Sequence, residues 1–148
     1  MHVGLIGGIG LAVTFLYYQR LIEVALAKKF PLELTVVNCD IPQFLNNFSQ
    51  DKKENQASIF AELTNRLQKA GADFVVLPSI GGSFCINEFM KKSPSPVQDV
   101  MTPLRTNTDK YKGKTIGLIG TNKAMNTKIY NFTTEVDWLI LDGEKVNN

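Results

Sequence analysis

Cysteine and histidine are scarce in this 148-residue chain: Cys39, Cys85 and a single histidine, His2. Two cysteines cannot build a disulfide framework or a structural zinc site. Ser-His-Asp or Cys-His chemistry within one chain would need His2. That residue precedes the first apolar run, so it belongs at the end of the sheet away from any strand-to-helix turn. No apolar run approaches the length of a membrane span. No cationic segment leads an apolar one at the N-terminus, so a secretory leader is not expected and a cytoplasmic protein is. Charge is nearly balanced, at +2 net. The lysine pairs Lys28-Lys29, Lys52-Lys53 and Lys91-Lys92 fall at expected helix ends and loops, as solvated charges do. Neither nucleic acid nor membrane is an expected partner.

What is present is an alternation of strands and helices, in a chain long enough for a domain with a core. Val3-Gly4-Leu5-Ile6 breaks into Gly7-Gly8-Ile9-Gly10, and a helical pattern follows through Leu11, Phe15, Tyr18, Leu21, Ile22, Ala25 and Leu26. A short strand, a glycine turn and an amphipathic helix open a βα unit. Glycines there permit positive φ and close approach of a ligand, and the N–H groups at the helix start attract carboxylates and phosphates. The dinucleotide fingerprint is not met, because Leu11, Ala12 and Val13 follow Gly8-Ile9-Gly10 without a third glycine. The glycines also admit a plainer role, a tight turn alone.

Leu32–Asn38 reads as the second strand, residues 43–54 as a loop running onto a helix start, and Asn55–Ala70 as a helix closed by Gly71. Asp73–Pro78 is apolar enough for a central parallel strand covered on both faces. A second glycine turn, Ser79–Ser83, leads to a short helix over Asn87–Lys92, a fourth strand over Val97–Val100 and a weak helix over Thr102–Tyr111. A strand at Thr115–Gly120, a helix at Thr121–Tyr130 and a strand at Val136–Leu141 complete the pattern. Ile116-Gly117-Leu118-Ile119-Gly120 echoes Val3-Gly4-Leu5-Ile6-Gly7, which suggests an internal repeat.

The expected fold is α/β: a flavodoxin-like parallel sheet flanked by helices, with an incomplete second similar lobe. Residues 1–100 form the first lobe, 101–113 a linker helix and 114–148 the partial second lobe. Right-handed crossovers bring the loops Gly7–Gly10, Cys39–Gln43 and Ser79–Ser83 to one sheet edge, where such sheets bind ligands. The edge of the last strand and the apolar Trp138-Leu139-Ile140-Leu141 point to a homo-oligomer.

Four motifs in order resemble the aspartate/glutamate racemase family over nearly the whole chain. They are Gly-Leu-Ile-Gly-Gly-Ile-Gly at 4–10, Ile41-Pro42-Gln43, Gly71-Ala72-Asp73-Phe74-Val75-Val76-Leu77-Pro78 and Gly117-Leu118-Ile119-Gly120-Thr121. The resemblance implies two α/β lobes with a small amino acid or carboxylate between them, no cofactor, and one cysteine per lobe. The two thiols would serve as base and acid on opposite faces of the α-carbon, which requires a thiolate of lowered pKa. It also implies ligand-binding roles for Gly8, Ile9, Gly10, Gln43, Ile80, Gly81 and Thr121.

The chemistry-bearing positions depart from the family. Its first lobe carries Pro-Cys-Asn-Thr-Ala-His where this chain has Pro78-Ser79-Ile80-Gly81-Gly82-Ser83. Ser79 stands at the cysteine position, and a serine hydroxyl without an activating histidine is a poor acceptor of a carbon-bound proton. Leu11 replaces a proline, Thr14 is kept, and Ala124 stands where a second hydroxyl is usual. The family's second cysteine falls on a later strand than this sequence contains. Cys85 is a distant second candidate for catalysis, and like Cys39 it has the ordinary role of a small buried residue. The site residues thus favour an amino-acid racemase scaffold of impaired or lost activity, a pseudoenzyme. The alternative is a non-catalytic module that binds a small carboxylate or a protein.

Overall fold

Strand β1 (His2–Gly7) runs down the middle of the first sheet because every residue after His2 is buried. In a computed structural model, which describes residues 1–119 and 136–140, β1 pairs in parallel with β2 (Glu33–Asn38) on one side and β3 (Phe74–Leu77) on the other. Strand β4 (Val97–Asp99) joins β3, again in parallel. The strand order β2-β1-β3-β4 is the flavodoxin-like arrangement. The chain divides into two units, residues 1–100 and 101–148.

One face of this sheet is densely covered. Helix α2 (Ile41–Ser49), helix α3 (Lys53–Lys69) and helix α4 (Ile86–Lys92) lie there. Ile6, Val75 and Leu77 meet Phe44, Phe60, Leu63, Leu67 and Phe89 in one buried cluster. Phe44 stacks on Phe48 at 5.7 Å between ring centroids, and Phe60 tilts against Phe89 at 5.3 Å. Gly4 is needed for this seat: a Cβ there would lie 3.0 Å from Leu67 Cδ1. Helix α3 ends on a Schellman motif. Gly71, at φ +97°, donates its N–H to Gln68 O and Ala72 donates to Leu67 O, which is the role expected of Gly71.

The segment 43–54, read from its polar composition as a loop, instead contains most of α2. The Asp40 carboxylate accepts the Gln43 N–H at 2.7 Å and Pro42 stands in the first turn, a start signal that outweighs the polar residues behind it. Phe44 and Asn47 turn inward, Phe48 is half-buried against the core, and most of the rest of the segment is exposed.

The other face carries helix α1 (Leu11–Lys28). Its buried residues are Thr14 and Ala25, not the large apolar ones of the helical pattern. Leu11, Phe15, Tyr18, Ile22 and Leu26 are exposed, and Phe74 and Val76 of β3 are only half-buried. Strand β3 is therefore fully covered on one face and partly on the other. The expectation that this strand is covered on both faces therefore holds fully on one face and in part on the other.

The second unit holds helix α5 (Met101–Thr106), a 3-10 turn at Thr108–Tyr111, and strands β5 (Thr115–Leu118) and β6 (Asp137–Ile140). The single weak helix read over 102–111 is thus two short pieces. Strands β5 and β6 pair in parallel from Thr115↔Asp137 to Leu118↔Ile140, the same relation that β1 has to β2. Among the described residues no helix is long and apolar enough to cross a membrane.

Candidate functional site

All four strands of the first sheet are parallel, so their C-terminal ends share one edge. His2 stands at the other edge, where its main-chain N–H donates to Asp73 and its ring bonds to Thr35 Oγ1 at 2.8 Å. The edge with the turns carries the candidate site.

At the end of β1, Gly8 and Gly10 take φ of +93° and +82°. A Cβ on Gly8 would lie 2.6 Å from Asn38 Oδ1 and 2.8 Å from Cys39 O, so the turn fits tightly against the end of β2. The Gly8 N–H donates to Thr14 Oγ1, and the Thr14 hydroxyl lies within reach of Gly10 O, both at 3.3 Å. One hydroxyl from the first turn of α1 thus ties the loop together. Ile9 contributes its side chain to the core, leaving main chain at the edge. At the end of β2, Asp40 caps α2 and the Gln43 side chain is exposed.

At the end of β3, Ser79 is buried and its Oγ accepts the Gly82 N–H at 3.2 Å. This is a local turn bond of the kind serine favours, leading into the 3-10 helix Gly81–Cys85. Ile80 is exposed, and Gly81 has ordinary room around it, with Ser79 Oγ 3.7 Å from where a Cβ would stand. Gly82 fits closely, since a Cβ there would lie 3.0 Å from Leu77 Cδ2. Thr121 lies outside the described residues.

Sequence reasoning passed over two members of this edge. Ser83 Oγ donates to Asp99 Oδ1 at 2.6 Å, and both residues are buried. Tyr17 of α1 has its phenol pKa raised, first by burial and then by the negative charge of Asp99. Asp99 was legible in principle: it lies one residue before the end of the strand expected over Val97–Val100, at the edge where every strand of a parallel sheet delivers its last residues. Ser83 gave no signal of its own, because its partner comes sixteen residues later.

Neither cysteine is prepared to act as a base. Burial pushes the Cys85 thiol up to about 12, with the Glu88 carboxylate adding to the effect, and its Sγ lies 3.7 Å from Gly82 O. Burial also raises the Cys39 thiol, although the Gln56 amide, 3.7 Å from its sulfur, works against the shift. A thiol with a raised pKa holds its proton at neutral pH and presents no thiolate.

No protein-family model matches the sequence, and no curated protein matches it. Solved structures do. A protein assigned as an Asp/Glu racemase, from Yersinia pestis, superposes with a TM-score of 0.79 at 17% identity, over 97% of this chain and 65% of its own. An aspartate racemase homologue from Pyrococcus horikoshii gives 0.76 at 18% identity, over 97% of this chain and 66% of its own. This chain shares their fold. It spans just under two thirds of the length of each. The shared fold fixes which edge of the sheet the turns occupy, while the side chains on those turns are this chain's own.

Proposed function

We propose that the chain is a diverged member of the aspartate/glutamate racemase family that binds a small amino acid or carboxylate at the turn edge without removing its α-proton. Racemisation requires a base and an acid on opposite faces of the α-carbon. The observation that carries the reading is the state of position 79 and of the two thiols. Ser79 gives its oxygen to the Gly82 N–H, and Cys39 and Cys85 are buried with raised pKa values. The main-chain turn Gly7–Gly10, by contrast, keeps the positive-φ glycines and the Thr14 tie. Binding geometry is thus supported better than proton transfer.

The test is α-proton exchange. Incubation with L- and D-aspartate and glutamate in heavy water is expected to leave the ligand α-proton NMR signals at the rate of the protein-free control. The same additions are expected to shift amide resonances of Gly8, Gly10 and Gly81. Exchange above the control would overturn the reading as to activity. Absence of amide shifts at millimolar amino acid would overturn it as to binding.

A further inference from the structure

The two serines of the turn after β3 have opposite capacities left. Ser83 Oγ has two acceptors within reach, Asp99 Oδ1 at 2.6 Å and Ser79 O at 3.4 Å. A hydroxyl carries one proton. The contact at 2.6 Å has the length of a charge-assisted bond to a carboxylate, and it takes that proton. What remains at Ser83 Oγ is the capacity to accept, strengthened by the charge behind it. Ser79 Oγ already accepts the Gly82 N–H at 3.2 Å, and what remains to it is its own proton to give. Ser79, Ser83 and Asp99 are all buried, which keeps bulk water from competing for these groups. Gly81 puts no side chain beside them: a Cβ there would lie 3.7 Å from Ser79 Oγ.

The sheet sets these groups in order of charge. Strands β1, β3 and β4 are neighbours in that order. The first ends in the main-chain turn Gly7–Gly10 and the start of α1, where N–H groups and the helix dipole are positive. The second ends in the two hydroxyls and the third in the Asp99 carboxylate. Neighbouring strands stand about 4.8 Å apart, so the edge passes from positive to negative over about 10 Å. The charge of Asp99 is felt on the α1 side as well, where it adds to burial in raising the Tyr17 phenol. The carboxylate at the end of β2, Asp40, is spent on the cap of α2, where it accepts the Gln43 N–H. Building on the function proposed above, that the edge binds a small amino acid or carboxylate, we propose that Ser83 Oγ, its proton fixed on Asp99, accepts from the ammonium group of the ligand. The edge then takes α-amino acids in preference to the matching carboxylates. Ser83 touches the ligand, and Asp99 is a positioning residue that turns the hydroxyl. The carboxylate end of the ligand lies towards the Gly7–Gly10 turn and the Ser79 hydroxyl.

Succinate is aspartate without its ammonium group, and the pair tests this on the full chain. The amide resonances of Gly81 and Gly82 are followed as each is added. Half-saturation by L-aspartate is expected at a concentration at least about tenfold below that of succinate, the weight of a hydrogen bond to a charged group. Ser83→Ala is expected to bring the two ligands within about threefold of each other, while Ser83→Thr, which keeps the hydroxyl, retains the preference. Asp99→Asn, which removes the charge behind the hydroxyl, is expected to narrow the preference at least about threefold. Equal half-saturation by the two ligands in the unaltered chain overturns the proposal and leaves the binding reading standing. Silence with both at millimolar concentration overturns the two together. A full preference for aspartate in Ser83→Ala or Asp99→Asn, with the circular dichroism of the unaltered chain, also overturns the proposal, since the ammonium group is then held elsewhere.

Discussion

The two faces of the first sheet are built on different terms. Under α2, α3 and α4, Phe60, Leu67, Leu77, Cys85 and Phe89 have no exposed surface at all. Under α1, the sheet hides Val3 and Leu5 while the helix buries little of its own apolar surface. The first face accounts for folding. The second carries more apolar surface than its own contacts use.

Four measurements sharpen this contrast, taken from the largest expected effect. Phe60→Ala removes the ring at the centre of the packed face and is expected to cost about 3–5 kcal/mol in urea unfolding. A loss near that of a surface site would mean that the face is not a single core. Gly7→Ala probes the point where α1 presses on the sheet, since a Cβ there would lie 2.7 Å from Thr14 Cγ2. The expected cost is about 1–3 kcal/mol, partly recovered by adding Thr14→Ser, which removes that methyl. No recovery in the double variant would place the strain elsewhere.

The third measurement is pH dependence. The Cys85 thiol is raised from an ordinary value of 9.0 to about 12 in the folded chain. Its contribution is therefore complete below pH 9 and lost as pH rises through 12, because the unfolded chain releases the proton first. On the order of 1 kcal/mol is expected to go between pH 8 and 10, and Cys85→Ala is expected to remove that part of the slope. An unchanged slope in Cys85→Ala would show that the thiol is not the group responsible. The smallest effect is expected from Leu16→Gln, on the exposed side of α1, at within about 0.5 kcal/mol. A loss above 1 kcal/mol there would mean that this side of the helix is covered after all.

The α/β class and most element types were legible because parallel strands announce themselves as short apolar runs closed by glycine or polar turns, and Val3–Gly7 and Asp73–Pro78 are such runs. Helix α2 escaped because its buried face rests on few side chains, Phe44 and Asn47 foremost, and the cap at Asp40 was its clearest sign. The face of α1 was misjudged for a related reason. Periodicity shows that apolar residues share a side, but not whether that side meets the sheet. The turns of the candidate site were found through their glycines, which backbone geometry demands locally. Asp99 and Ser83 were not, since their bond joins residues far apart in sequence and only the sheet brings them together.

The bond from the Gly82 N–H to Ser79 Oγ carries one more consequence. A side chain that holds a turn in place is no longer free to be exchanged for another chemistry. Ser79→Cys would substitute a longer, weakly accepting sulfur for the oxygen that receives the Gly82 N–H, and would deliver it into a buried position like those where the thiols of Cys39 and Cys85 are already held protonated. A thiol at this position therefore brings a loss of local order before any gain in reactivity. Position 79 is part of the framework of the turn as well as of the edge that the turn presents.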